Sequence, residues 1–310
     1  MNFLFIIGGL ALLVLGGNWL LKSAVALSLK LHIPKIVIGM TVVSFATSAP
    51  ELIVSINAAL SGASDLALGN VIGSNIANLG LVLGITLLFG SMQIQESFYK
   101  IDWPVMMLAS VLLFVFMQGD TVINRYEGII MVSFLIVFLI FLLRFQKAPV
   151  IDELPEEDAI LPIYKVALFL ILGGLGLWGG SELLIKGATS LALEFGVSER
   201  VIGVTVVSIG TSIPELAASI IAVLKKEKAI SLGNLIGSNV FNILAVLGIT
   251  SIITPVAVKD MELLTNDIFW MLGVSFLLLP LVFMPKKMRL NWKSGILLLT
   301  LYVTFVFITI

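Results

Sequence analysis

The sequence predicts an all-α membrane protein with ten transmembrane helices, arranged as two inverted five-helix repeats. Of its 310 residues, 59% are hydrophobic and 12% are charged, whereas about a quarter of the residues of a soluble domain are charged. The apolar residues form long runs without the period-two alternation of a membrane β-barrel. Residues 39–86 also align without a gap on residues 203–250, with 27 of 48 positions identical. The two halves of the chain therefore repeat one structural unit.

Ten apolar runs, each near the length of about 20 residues that a membrane-spanning helix needs, account for most of the chain. They lie at 2–21, 36–60, 66–89, 103–118 and 123–144, and then at 163–186, 200–224, 230–253, 267–284 and 293–309. A polar segment with five carboxylates between prolines separates the fifth run from the sixth. We therefore expect a first repeat at 1–145, an acidic linker at 146–162 and a second repeat at 163–310.

The distribution of Lys and Arg predicts the orientation in the membrane. If the N-terminus is outside, 14 of the 18 basic residues face the cytoplasm and four face outward, as the enrichment of basic residues in cytoplasmic loops requires. Both termini are then extracellular, the linker is cytoplasmic, and the expected location is the cell membrane. Because each repeat contains an odd number of spans, the two halves are expected to run in opposite directions through the bilayer.

Polar residues that hydrophobic segments normally avoid recur in both repeats. Thr-Ser-x-Pro-Glu occupies 47–51 and 211–215, and Gly-Asn-x-x-Gly-Ser-Asn occupies 69–75 and 233–239, with Asn78 and Asn242 three residues further on. We expect both stretches to interrupt their helices near the middle of the bilayer. Two copies of one polar, helix-breaking motif predict a single site formed by both repeats.

The residue types in this motif are those that bind hard cations. A proline inside a helix displaces the carbonyl four residues earlier, and irregular backbone in a membrane is tolerated where it lines a cavity. Carbonyl, hydroxyl, amide and carboxylate oxygens are the ligands that Ca²⁺ prefers, and carboxylates at the membrane centre mark ion or proton pathways. Side chains four residues apart share a helix face, which pairs Thr47 with Glu51, Thr211 with Glu215, Ser74 with Asn78, and Ser238 with Asn242.

Two buried carboxylates would be balanced by one Ca²⁺, by two or three Na⁺, or by two protons, and these occupants exclude one another. Competition for one charged cavity indicates an antiporter, with Na⁺/Ca²⁺ and Ca²⁺/H⁺ exchange both open on this argument. An intramembrane protease is the alternative from another class, but the only histidine, His32, falls in a loop and no Asp is expected at mid-membrane. Inverted repeats around a closed site favour alternating access over a channel.

These motifs resemble the cation/calcium exchanger superfamily, specifically the prokaryotic relatives of the sodium/calcium exchangers. That family reads Gly-Thr-Ser-x-Pro-Glu and Gly-Ser-Asn-x-x-Asn in both repeats, and Ala46 is the one departure in the first motif. The resemblance implies that Glu51 and Glu215 are shared Ca²⁺ and Na⁺ ligands. It further implies that the carbonyls of Thr47 and Thr211 complete the calcium site, and that flanking sodium sites are lined by Ser48, Ser74, Ser212 and Ser238, with carbonyls near Ser44 and Ser208.

Position 242 departs from part of that superfamily. Some members, including the potassium-dependent exchangers, carry Asp there, whereas this chain has Asn78 and Asn242 in the two repeats. The proton-coupled branch typically uses Gly-Asn-x-x-Glu-His, which is absent here. The sequence therefore predicts Na⁺/Ca²⁺ exchange without K⁺. Ca²⁺ and Na⁺ are expected as substrates within a lipid bilayer, without enzymatic activity, cofactor, nucleic acid or obligatory protein partner.

Overall fold

The computed structural model of the chain describes residues 2–145, 161–195, 208–284 and 288–309. The helices of the first half are α1 Asn2–Leu31, α2 Lys35–Thr47, α3 Ala49–Leu60, α4 Ser64–Phe89, α5 Phe98–Gly119 and α6 Arg125–Phe145. Those of the second half are α7 Ile163–Glu194, α8 Ser208–Gly210, α9 Ile213–Leu224, α10 Lys228–Ile253, α11 Leu263–Phe283 and α12 Trp292–Thr309.

Eight of the helices in these ranges are long and apolar enough to cross a membrane, and α2 with α3 forms a ninth span bent by 45°. The predicted run at 200–224 is described only from residue 208 onward, as α8 and α9, so the count of ten remains a prediction. The predicted linker falls almost entirely at 146–160, outside the described residues.

The first helix is longer than its apolar run predicts. It was expected at 2–21 but continues to Leu31, because 22–31 contains no helix breaker and buries Ser23, Ala24, Ala26 and Ser28. Small residues bury well against a neighbouring backbone even though they add little hydropathy. Hydropathy alone therefore underestimates the length of this helix.

Helices α4 and α10, which carry the second repeated motif, lie at the centre of the protein. In their most apolar windows 78% and 83% of the residues are buried, against 22–33% for the other unbroken spans. Polar groups on α4 and α10 are therefore shielded from lipid by the surrounding helices. This position explains how asparagines and serines persist in transmembrane segments.

Five of the helices in the described ranges contain a π-helical turn, in which one extra residue widens the helix. These turns occur at Gly39–Val43, Asn78–Val82, Phe98–Asp102, Asn242–Leu247 and Leu263–Asp267. The expected interruptions at 69–75 and 233–239 were wrong, because Ser64–Ala77 and Lys228–Phe241 are continuous α-helix. In each repeat the helix becomes irregular only after this continuous segment, in the π-helical turn that begins at Asn78 or at Asn242.

In the second repeat the glycines of that motif bring helices together and do not break them, whereas an added Cβ would lie 3.8 Å from a Leu263 methyl at Gly69 and would meet no described atom within 4 Å at Gly73. A Cβ added to Gly237 would lie 2.5 Å from the Met40 Cα atom and 2.6 Å from the Met40 carbonyl oxygen. The backbones of α10 and α2 thus touch at this point, a contact that only glycine permits. The same kind of contact joins α1 to α7, where a Cβ on Gly16 would lie 2.7 Å from the Leu177 amide nitrogen.

Two short antiparallel ladders join loops from opposite halves. Strand β1 Met92–Gln93 pairs with β4 Arg289–Leu290, and β2 Val122–Ile123 pairs with β3 Val256–Ala257. Beside the first ladder, Lys228 Nζ donates a 2.8 Å hydrogen bond to the Ser91 carbonyl. Beside the second, the Lys259 amide donates a 2.8 Å bond to Asp65. Strands of two residues leave no detectable sequence pattern, so they were not predicted.

Candidate cation site

The first repeated motif is a break between two helices. Helix α2 ends at Thr47, Ser48 has a non-helical ψ of 4°, and α3 begins at Ala49 with Pro50 in its first turn. Proline is well tolerated there because the first helical N–H groups have no partner within the helix. Pro50 therefore starts a new helix at the bend. The second repeat folds alike, with a ψ of 3° at Ser212 before α9.

This break places the two glutamates in equivalent positions. Glu51 and Glu215 lie in the first turns of α3 and α9, where the N-terminal end of a helix favours negative charge. Both side chains are completely buried, and Ser48, three residues before Glu51, contacts the Glu215 carboxylate. The predicted pair of symmetric, buried carboxylates is therefore present in the folded chain.

Most carboxylate oxygens in this pair have no hydrogen-bond donor. Ser48 Oγ donates to Glu215 Oε1 over 3.4 Å, but Glu215 Oε2 and both Glu51 oxygens lack a partner among the described residues. A buried, uncompensated carboxylate costs several kcal/mol. Such oxygens require a cation or a proton, which is the property of an ion-binding site.

Hydroxyl groups from the two repeats meet beside the carboxylates. Thr47 Oγ1 lies 3.2 Å from Asn234 Oδ1 and 3.4 Å from Ser238 Oγ, and Ser74 Oγ lies 3.4 Å from Thr211 Oγ1. Each contact joins one half of the chain to the other. Because of the helix break, Thr47 and Glu51 do not belong to the same helix. The side chain of Thr47 contacts residues of the opposite repeat.

Four asparagines of α4 and α10 hydrogen-bond to one another across the repeats, and we call them the asparagine quartet: Asn75, Asn78, Asn239 and Asn242. Asn78 Nδ2 donates to Asn239 Oδ1, and Asn242 Nδ2 donates to Asn75 Oδ1, each over 3.1 Å. The Oδ1 atoms of Asn78 and Asn242 are buried and have no partner among the described residues. They are therefore free to bind a cation.

The remaining predicted residues fall into three cases. Ser212 is buried and its Oγ has no partner within the described ranges, so it resembles the asparagine oxygens. The Ser44 hydroxyl instead donates to the carbonyls of Gly39 and Asn234, over 2.8 and 2.9 Å. The side chain of Ser208 is outside the described part of the structure.

Sequence reasoning left Asn75, Asn234 and Asn239 out of the site. All three contact predicted ligands, and all are identical between the repeats. Identity of polar residues in both copies was the signal that could have identified them.

The described residues contain no group of three or more His, Cys, Asp and Glu side chains that could hold a metal ion. His32 is exposed in the turn after α1, as predicted. The candidate site as described contains two carboxylates and neutral oxygens, ligand types that suit Ca²⁺ and other hard cations.

Known proteins are similar to this chain in sequence and fold over nearly its whole length. Residues 1–144 and 165–310 match the family described as sodium/calcium exchanger protein. A protein of Alkalimonas amylolytica named as an antiporter, CaxA, is 38% identical over 97% of this chain and 96% of its own length. The sodium/calcium exchanger MaX1 of Methanosarcina acetivorans is 30% identical over 98% and 97% of the two chains.

A solved structure of the sodium-calcium exchanger NCX_Mj superposes with a TM-score of 0.84 at 27% identity, and the match covers 100% of this chain and 99% of the other. The family match includes both halves of the chain, and the long apolar helices are those of a multi-pass membrane protein. The chain therefore belongs to the sodium/calcium exchanger family of membrane transporters.

Proposed function

We propose that this protein exchanges Na⁺ for Ca²⁺ across a membrane by alternating access. The observation that carries the proposal is the pair of buried carboxylates, Glu51 and Glu215, whose oxygens largely lack donors and face neutral oxygens from both halves. One Ca²⁺ balances both charges, and Na⁺ ions can replace it but cannot share the site with it. Mutually exclusive occupancy couples the movement of one ion to that of the other.

The proposed ligand assignment combines the contacts described above with the resemblance of the motifs to the exchanger family. Glu51 and Glu215 are shared by both ions, and the Oδ1 atoms of Asn78 and Asn242 supply neutral oxygens from the asparagine quartet. Hydroxyl and carbonyl oxygens complete the sites for Ca²⁺ and Na⁺. These come from Thr47, Thr211, Ser48, Ser212, Ser74, Ser238, Ser44 and Ser208.

The strand pairing supports the arrangement of two inverted repeats, at 1–145 and 163–310. Strand β1 follows the third span of the first half, yet it pairs with β4, which follows the fourth span of the second half. Strands β2 and β3 show the converse pairing. Consecutive spans end on opposite sides of a membrane, so halves of five spans that run in opposite directions would produce this reciprocal exchange.

The basic residues support an orientation with both termini outside the cell. Lys35, Lys228 and Arg289 lie at the end of the molecule where β1 pairs with β4. Lys259 and Arg125 lie at the opposite end. The larger basic group is expected in the cytoplasm, and the proposed orientation in the cell membrane therefore has the central linker inside.

Ca²⁺/H⁺ exchange is the second candidate, because carboxylate oxygens without donors would also accept protons. Radioactive ⁴⁵Ca uptake into proteoliposomes distinguishes the two. We expect uptake driven by an outward Na⁺ gradient and no uptake driven by a pH gradient alone. Uptake that follows the pH gradient and ignores Na⁺ would replace the first proposal with the second.

The site is tested separately by Glu51→Gln and Glu215→Gln, which preserve shape but remove a charge that Ca²⁺ needs. Each variant is expected to lose Na⁺-dependent ⁴⁵Ca uptake while remaining monodisperse in detergent. Glu182→Gln is the matched control, since Glu182 is exposed on α7. Uptake near the wild-type rate in either buried variant would remove both glutamates from the shared site.

A further inference from the structure

The amides of Asn75 and Asn239 use both of their ends within the asparagine quartet. Asn75 Nδ2 donates to the Asn239 carbonyl over 3.3 Å, and Asn239 Nδ2 donates to the Asn75 carbonyl over 3.2 Å. Their Oδ1 atoms accept the bonds from Asn242 and Asn78. Rotating either amide by half a turn would set oxygen against oxygen and donor against donor. These four bonds therefore fix one orientation of each amide.

This orientation decides what Asn78 and Asn242 present to a cation. An asparagine side chain carries an acceptor oxygen and a donor NH₂ group of nearly equal shape, and only the oxygen attracts a cation. Because both NH₂ groups are held by the opposite repeat, both Oδ1 atoms remain buried and without a hydrogen-bond partner among the described residues. The two ligands are thus oriented across the repeats.

A methionine lies behind each orienting amide. Asn75 Nδ2 is 3.6 Å from Met271 Sδ, and Asn239 Nδ2 is 3.9 Å from Met106 Sδ. Both methionines are almost fully buried. A thioether is a weak, polarizable acceptor. It can accept from one N–H of the amide while the other N–H donates to the backbone carbonyl.

The sequence repeats this arrangement outside the 48-residue alignment. Asp102, Met106 and Ser110 on α5 correspond to Asp267, Met271 and Ser275 on α11, with the same spacing of four residues. All three α5 residues, and Met271 and Ser275 on α11, are buried. The repeated methionine therefore lies on a helix face that is directed towards the core. The amide that it contacts is buried as well.

We propose that Asn75 and Asn239 are positioning residues that set the affinity for Ca²⁺, by holding the Oδ1 atoms of Asn242 and Asn78 towards the transported ion. Met271 and Met106 back the two amides. The inference rests on the proposed exchange of Ca²⁺ at this site. It adds that the ligand of each repeat is oriented by an amide of the other.

The test is Asn75→Leu, which keeps the approximate size of the side chain and removes the acceptor for Asn242. Asn242 then loses its fixed orientation, and we expect the KM for Ca²⁺ to rise about tenfold, the factor that corresponds to one lost buried hydrogen bond, with kcat changed less than twofold. The measurement is the initial rate of Na⁺-driven ⁴⁵Ca uptake over a range of Ca²⁺ concentrations. Asn57→Ile is the control, because Asn57 is exposed and the second repeat has Ile at the equivalent position 221.

A second substitution separates orientation from general packing. Asp has two equivalent oxygens, so Asn242→Asp presents an oxygen to the ion in either orientation and no longer needs Asn75. In that background Asn75→Leu also removes an oxygen that would face the aspartate, so the KM is expected to change by less than twofold or to fall. An equal KM increase in both backgrounds would show that Asn75 acts by packing and would overturn the proposal.

The mirror pair, Asn239→Leu with and without Asn78→Asp, makes the same test at the other end of the quartet. If neither leucine variant is monodisperse even with its aspartate partner, the amides support the fold alone and the proposal fails. Calorimetric titration of the purified variants with Ca²⁺ reports affinity independently of exchange. An absence of Na⁺-driven uptake by the wild type would refute the proposed exchange, whereas binding would still decide whether Asn75 orients Asn242.

Discussion

The contact between Gly237 and α2 predicts that one added methyl group will disturb the site. In Gly237→Ala the new Cβ would lie 2.5 Å from the Met40 Cα atom, about 0.9 Å closer than the 3.4 Å at which ordinary contacts begin. The new Cβ would also overlap Ser44 Oγ, which can rotate away, but the Met40 Cα and carbonyl oxygen are backbone atoms, so no side-chain rotation relieves the clash with them. Helix α2 must therefore move away from α10.

That movement would act on the cation site, because Thr47 at the end of α2 contacts Asn234 and Ser238 on α10. Distances of 3.2 and 3.4 Å would lengthen beyond hydrogen-bonding range. Overpacking of this kind typically costs about 1–3 kcal/mol. We expect a lower midpoint of thermal unfolding and a loss of Na⁺-driven ⁴⁵Ca uptake.

Gly273→Ala is the matched control on α11. Gly273 is exposed, and an added Cβ meets no described atom within 4 Å. Alanine is the better helix former by about 1 kcal/mol, so this variant should be as stable as the wild type or more so. If Gly237→Ala transports Ca²⁺ and unfolds like the control, the backbone contact does not hold the site together.

Three further predictions follow from charge. Asn78 and Asn242 leave the site with two carboxylates, so Na⁺-driven ⁴⁵Ca uptake at clamped membrane potential should be unaffected by K⁺; a K⁺ requirement would contradict this interpretation of Asn242. Cysteine at Lys259 should react with an impermeant thiol reagent from outside the cell and cysteine at Lys225 only from inside, and the reverse pattern would invert the topology. The partly exposed ion pair between Lys35 and Glu227 should contribute less than about 1 kcal/mol, so a large drop in the unfolding midpoint of Lys35→Met would show that it does more.

Most of the polar residues that the sequence singled out are buried in the fold, although Thr211 is only partly buried. Glu51 and Glu215 occur in both copies of the motif, and a duplicated carboxylate inside an apolar segment has few structural uses. The bend at Ser48 was predicted because a proline inside a helix displaces a carbonyl. In the structure Pro50 instead occupies the first turn of a new helix, so the reason for the bend is partly different. Local propensity identifies a helix break near a proline. It does not tell whether the proline belongs to the helix before the break or to the helix after it.

The partners of these residues were not predictable from periodicity. Thr47 bonds to Asn234, and Asn242 bonds to Asn75, over separations of 187 and 167 residues. Such pairs depend on how α2, α4 and α10 pack, which helical spacing within one segment does not specify. The same limit explains the error at 233–239, where a glycine that permits close packing has the same sequence appearance as one that ends a helix.

The crossed bonds of the asparagine quartet also bear on how such a protein is assembled. A polypeptide that contained only one half would leave the amide of Asn78 or Asn242 without its acceptor inside hydrocarbon, where an unpaired polar group is costly. Such a half would need a second half to close the site, so the centre of the molecule has the character of a dimer interface. Covalent connection makes that interface intramolecular, and its completeness then no longer depends on the concentration of protein in the membrane.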